Sequence, residues 1–194
     1  MQVSDKPWLA HYDPGVPAEV EVPPIPLWRF LEESARRFPQ NVALEFLGKT
    51  LSYQELWDLA RRFAQGLKEL GVRPGDRVAL MLPNTPQFVI AFYGTLLAGG
   101  VGVNVNPLYT PRELRHQLLD AGAETLVILD HLLPRYLEVA GEVPVKRVVV
   151  TGIKDFLPFP KNLLYPLKAK REGLPLGFPR KEGFHAFAEL LKRP

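Results

Sequence analysis

The sequence predicts an α/β fold: an open parallel sheet of repeated βα units with helices on both faces. An extended proline-rich arm precedes it and an irregular basic segment follows. Apolar, β-branched runs begin at Arg77, Val101, Thr125 and Lys146, each separated from the next by one helical pattern. That alternation is the period of a βαβ chain. The run Arg77–Leu82, RVALML, is apolar without alternation, as strands covered on both faces are. Helix starts carry paired capping residues, Ser52 with Glu55 and Thr110 with Glu113. Right-handed crossovers between parallel strands then place helices on both sides of the sheet.

The first stretch, Met1 to Pro26, reads as an extended arm. Pro7, Pro14, Pro17, Pro23, Pro24 and Pro26 break any helix and favour polyproline or turn geometry. Trp8, Tyr12 and Val16 give the arm apolar groups to dock. Two readings stay open: a strap packed on its own domain, or an arm exchanged with a second subunit.

Residues 27–152 form the α/β unit. Leu27, Phe30, Leu31, Ser34, Ala35 and Phe38 recur at helical spacing, and Pro39 ends that helix. Val42 to Leu47 reads as a strand, Gly48-Lys49 as a turn and Thr50-Leu51 as a short return strand. The next helix starts at the Ser52 cap and buries Tyr53, Leu56, Ala60, Phe63, Ala64, Leu67 and Leu70; Gly71 closes it in the left-handed conformation. Arg73 to Asp76 is a turn before the strand Arg77–Leu82.

Thr85 and Pro86 then open a mostly apolar helix that Ala98-Gly99-Gly100 stops. Val101 to Val105 reads as a buried strand, with Asn104 and Asn106 alternating with its valines and Pro107 ending it. Polar residues at the carboxyl end of a parallel strand are where open α/β sheets bind ligands; alternatively these asparagines serve loop backbone and the fold. Thr110 caps a helix to Ala121, with Pro111 at its first position and Gly122 at its stop. Thr125 to Leu129 is a strand, Asp130 caps a helix to Ala140 that Gly141 stops, and Lys146 to Thr151 is another strand.

Residues 153–194 mix Phe156, Leu157, Phe159, Leu163, Leu164, Tyr165 and Leu167 with Lys161, Lys168, Lys170 and Arg171. Pro158, Pro160 and Pro166 speak against a long amphipathic helix. One reading is a surface loop packed on the sheet domain. The other is a patch, Phe156 to Arg171, in peripheral contact with an anionic membrane surface. A short helix from Gly183 to Leu191 ends the pattern.

Composition bounds the function. Hydrophobic residues make up 46% and charged residues 23% of the 194, as in ordinary globular proteins. A formal charge of +3 is too small to point to nucleic acid. No apolar run approaches the ~18 residues of a membrane span, and the start MQVSDKPWLAHYDPG has no charged-then-apolar leader pattern. With no cysteine, a cytoplasmic location is expected. No dinucleotide fingerprint or Walker-type phosphate loop occurs. His11, His116, His131 and His185 are scattered without metal-ligand spacing, so no metal site is expected.

Three motifs carry a resemblance. LSYQEL (Leu51 to Leu56), GVRPGDRVALMLPNTPQF (Gly71 to Phe88) and LLAGGVGVNVNPLYTPREL (Leu96 to Leu114) resemble the amino-terminal part of the adenylate-forming enzymes. That superfamily comprises acyl-CoA synthetases, luciferases and peptide-synthetase adenylation domains. NVNPLYTPREL is similar to long-chain fatty acyl-CoA synthetases of the bacterial β-oxidation type. The resemblance implies the amino-terminal portion of such a ligase, one that in the whole enzyme uses ATP, magnesium and CoA to activate fatty acid. It implies also that the phosphate loop, the magnesium glutamate, the ribose-binding aspartate and the adenylation lysine lie beyond these residues. No catalytic residue is therefore carried over, and the chain by itself is expected to be inactive and to bind none of these cofactors alone. Some relatives place an arginine after the Asn-Pro to meet CoA phosphate. Here Leu108 stands there, and Arg112 and Arg115 are the substitute candidates. Enzymes of this type are often homodimers. The alternative is a non-catalytic binding or assembly module on the same fold, pairing with a separately encoded remainder or with itself.

Overall fold

The computed structural model describes residues 6–193. Its centre is a five-stranded parallel sheet. The strands are β3 (Arg77–Met81), β4 (Val101–Asn104), β5 (Thr125–Leu129), β6 (Arg147–Thr151) and β7 (Phe184–Ala186), in the spatial order β4-β3-β5-β6-β7. β1 (Val42–Phe46) and β2 (Lys49–Ser52) form a separate antiparallel hairpin. The helices are α1 (Trp28–Arg37), α2 (Tyr53–Glu69), α3 (Pro86–Leu97), α4 (Pro111–Ala121), α5 (Leu133–Leu137), α6 (Lys161–Arg171) and α7 (Phe187–Leu190).

The order decides the layers. From β3 the chain steps outward through α3 to β4, then returns through α4 to β5 on the other side of β3. Right-handed crossovers in opposite directions place α3 and α4 on opposite faces. α2 and α7 join the α3 layer, and α5 packs beside α4. β3 and β5 are central: Val78 to Met81 and Leu126 to Leu129 are fully buried. This is the two-sided burial that RVALML predicts.

The capping pairs form as expected. Ser52 accepts from Glu55 N, and Thr110 accepts from Glu113 N, each with the glutamate bonding back to the cap backbone. The Thr110 backbone N–H and then its hydroxyl hold the Glu113 carboxyl below its ordinary value. Gly71 and Gly122 take positive φ, as helix stops should.

Five local expectations change. β4 is an edge strand rather than a buried one: Val101 is exposed and only Val105, beyond its end, is buried. The hairpin turn is Leu47-Gly48, one residue earlier than expected, with φ of 53° and 94°; both central residues of this tight hairpin turn need positive φ. Asp130 does not cap a long helix. A tight turn, Asp130–Leu132, leads into the five-residue α5, and the Asp130 carboxylate is used elsewhere. α6 forms through Pro166; one proline removes a single ladder bond, and burial of Ala169 with packing on the turn Ile153–Phe156 holds the rest. Finally, Phe184–Ala186 is a strand paired with β6, and only Phe187–Leu190 is helical. A three-residue strand is too short to show periodicity, and its partner lies far away in sequence.

Of the arm, residues 1–5 lie outside the described region; the rest makes a short turn, Pro7–His11, and an ion pair between Lys6 and Glu19 at 2.8 Å. Trp8, Tyr12, Val16, Val20, Val22 and Ile25 are all exposed to some extent, Val20 and Val22 most of all.

Candidate functional site

Two polar regions gather at the carboxyl ends of the strands. The order in which the strands are laid down reverses between β3 and β5, and the crevice above such a switch point is where open α/β sheets take ligands. Here that position belongs to the residues following β3, β5 and β6, not to Asn104 or Asn106, which flank an edge strand.

Gln87, in the first turn of α3, is fully buried. Its Nε2 donates to Gly152 O at 2.9 Å and to Thr151 Oγ1 at 3.4 Å, and its Oε1 has no partner among the described residues. Thr151 Oγ1 and Gly152 N both donate to Asp155 Oδ2, at 3.0 and 2.8 Å. Asp130, 4% exposed, accepts from His131 N at 2.8 Å and from Gly177 N at 3.2 Å. A Cβ on Gly152 would stand 3.0 Å from Asp130 Oδ2, so the carboxylate packs tightly against the strand end. The Tyr165 phenol is raised above its ordinary value by burial, then by the charge of Asp130. Asp130, Thr151, Gly152, Asp155 and Gly177 border a cavity of about 190 Å³ that also includes Lys154 and Phe178, whereas Gln87 and Tyr165 are not among its lining residues.

The wall combines the carboxylates of Asp130 and Asp155 with the ammonium of Lys154. Its backbone N–H groups are occupied by Asp130 and Asp155, and its uncommitted buried atom is the Gln87 carbonyl. No group of three or more metal-ligating side chains occurs among the described residues. The sequence pattern leaves Gln87 and Asp155 unmarked and reads Asp130 as a helix cap. Gln87 meets Thr151 and Gly152 across 64 and 65 residues and Asp130 meets Gly177 across 47, with no local pattern to mark them, whereas Asp155 bonds only three and four residues back.

The second region is the bend after β4. Asn106 Oδ1 accepts from Leu108 N at 3.0 Å, which serves the turn backbone, whereas Asn104 contributes its carbonyl to Gln117 Nε2 at 2.9 Å. Arg135 of α5 donates Nη1 to Pro107 O at 2.6 Å and to Tyr109 O at 3.3 Å, fastening the bend to α5. The candidates Arg112 and Arg115 are not brought together on one target. Arg115 forms an ion pair with Glu142, while Arg112 keeps an exposed guanidinium. Leu108 is 81% exposed beside them.

Comparison with known proteins places these features. The model of the family described as AMP-binding enzyme matches residues 31–182. A long-chain-fatty-acid–CoA ligase of Bacillus subtilis is 43% identical over 190 residues, covering 98% of this chain and 34% of the relative. One from Escherichia coli O157:H7 is 39% identical over 161 residues, covering 82% of this chain and 29% of the relative. Among solved structures, a long-chain-fatty-acid-CoA ligase from Archaeoglobus fulgidus superposes with a TM-score of 0.66 at 27% identity, over 72% of this chain and 30% of that one. An anthranilate CoA ligase in complex with anthranoyl-AMP superposes with a TM-score of 0.69 at 22% identity, over 86% of this chain and 28% of that one, a likeness of fold. The chain thus spans about a third of the length of the curated relatives it matches.

Proposed function

The chain belongs to the AMP-binding enzyme family, and from that premise we propose that it forms the amino-terminal part of an ATP-dependent long-chain fatty acid–CoA ligase. The observation that carries this is the 43% identity to a ligase of that name over 98% of the chain. In the whole enzyme, a fatty acid carboxylate would attack the α-phosphorus of magnesium-bound ATP. That forms an acyl-adenylate and expels pyrophosphate; the CoA thiol would then take the acyl group and release AMP. In this reading phosphate binding falls to residues of the whole enzyme other than the 194 of this chain. What these residues supply is the first sheet of the fold and part of the wall around the site. Arg112, exposed on α4, is the remaining candidate for CoA phosphate.

The test is pyrophosphate release from ATP, magnesium, palmitate and CoA. It is measured for the 194-residue chain and for a hybrid joining it to the remainder of the Bacillus subtilis relative. The chain alone should release none, and the hybrid should make palmitoyl-CoA. Turnover by the chain alone would refute its incompleteness. A folded hybrid that makes no acyl-CoA would refute the ligase assignment.

A self-associating module is the second reading, and the exposed apolar groups of the arm favour it. Trp8, Tyr12, Val16, Val20, Val22 and Ile25 suit a second copy better than water. Sedimentation velocity should show dimers that become monomers when residues 1–26 are removed. A parent chain that stays monomeric across concentrations rejects the arm as a dimer contact.

A further inference from the structure

Residues 174–182 join α6 to β7 without regular secondary structure. Pro175 and Pro179 have no N–H to donate, so the stretch cannot make a continuous ladder with anything beside it. Lys181 N donates to Pro179 O at 3.1 Å and Phe184 N to Lys181 O at 3.2 Å, both local turns. Among the described residues, one hydrogen bond ties the middle of the stretch to the rest of the fold: Gly177 N donates to Asp130 Oδ2 at 3.2 Å. Leu174 and Phe178 are half-buried and the other residues are exposed. So few buried contacts and backbone bonds put a segment at the low-stability end of a fold.

Gly177 sits at φ 81°, and a Cβ there would meet no heavy atom within 4 Å. Glycine therefore serves the left-handed turn that brings this N–H to Asp130, not a shortage of room. Asp130 itself is held: it is 4% exposed, and its Oδ1 accepts from His131 N at 2.8 Å. Gly173 and Gly183, at φ 67° and 81°, stand at the two ends of the stretch.

Two cavities meet at this segment. Gly177 and Phe178 border the cavity of about 190 Å³ beside Asp130, Thr151 and Lys154. They also border a wider groove of about 750 Å³ on the β7 side, with Arg180, Lys181 and Glu189. We propose that residues 174–182 are a strap latched by Asp130, whose release joins these two spaces into one crevice over the ends of β5 and β6. Asp130 holds the strap through Gly177, and Phe178 is the wall between the spaces. Closed, the strap separates Lys154 from Arg180 and Lys181; open, the three cations share one crevice. The device rests on this chain's own geometry and not on the ligase reading, and its test needs no turnover.

NMR relaxation dispersion of the 194-residue chain reads the open population from the strap amides. A soluble nitroxide reads access to the cavity. Asp130→Ala should raise the open population about tenfold or more, because a hydrogen bond to a carboxylate is lost. Gly177→Ala should raise it about tenfold, because alanine resists the left-handed backbone. The second variant leaves Asp130 and its bond to His131 in place, so it separates release of the strap from damage around Asp130. In both, the nitroxide should broaden the buried Thr151 and Gly152 amides while Leu126 to Leu129 stay as in the parent. Phe178→Ala should admit the nitroxide with the strap still latched. A parent strap with order parameters below about 0.6 is not latched and overturns the proposal. So do variants at Asp130 and Gly177 whose open populations match the parent, or a Phe178→Ala chain that shields Gly152 as the parent does.

Discussion

Phe63→Ala should lower the stability of this chain by about 4 kcal/mol, a fall in Tm of about 10 °C. Phe63 is fully buried at the crossing of α2 with α3. Its ring lies 4.6 Å from that of Phe187, tilted by 32°, and so joins α2 to the short α7 that follows β7. The neighbouring backbone cannot collapse to fill the hole. Gly94 of α3 already approaches so closely that a Cβ there would stand 2.7 Å from Phe63 Cδ1 and 3.0 Å from Ala60 O. The cavity would stay open, which puts the cost toward the upper part of the range for lost aromatics. Urea denaturation with an unchanged m-value checks it. A loss under about 1 kcal/mol would mean that α7 repacks into the space.

Arg147→Ala should cost about 3 kcal/mol, the upper end for hydrogen bonds made by a charged group. Arg147 opens β6, yet its guanidinium serves the end of α2. Nε donates to Leu70 O at 2.6 Å and Nη2 to Gly71 O at 3.3 Å, while Nη1 reaches Thr125 Oγ1 at 3.4 Å. The last carbonyls of a helix lack intrahelical donors, and a cation there also meets the negative end of the helix dipole. Arg147→Lys keeps the charge but not the fork, and should recover only part of the loss. Chemical denaturation of both variants distinguishes the roles. If lysine restores full stability, charge alone matters; if alanine costs under about 0.5 kcal/mol, the cap is dispensable.

The two variants also mark how far the sequence could be read. Phe63 is legible as a core residue, because Leu56, Ala60, Phe63, Ala64 and Leu67 repeat at helical spacing and all are buried. That its ring meets Phe187 is not legible, since the contact is made across the fold. Arg147 shows only as a polar residue at a strand start. Its partners, Leu70 and Gly71, are 77 and 76 residues away. The same holds for the candidate site. Nothing near Gln87 marks it as the link to Thr151 and Gly152, 64 and 65 residues on. The arginines chosen on α4 fare differently for a similar reason: Glu142, which holds Arg115, lies 27 residues downstream.

Features that depend on neighbours within a turn or two are written in the local pattern of residues. They cover the capping boxes at Ser52 and Thr110, the glycine stops at Gly71 and Gly122, the doubly buried strand at Arg77 and the alternation that makes a parallel sheet. The motifs carrying the family resemblance lie within these same elements. The tertiary structure alone decided that β4 is an edge, that Phe184–Ala186 completes the sheet and that Asp130 holds the Gly177 loop. It also turned the leucines of α6 outward. The physical reason is range. Periodicity and capping are set by local backbone geometry, whereas strand order, burial and polar partners are set by which distant segments the crossovers bring together.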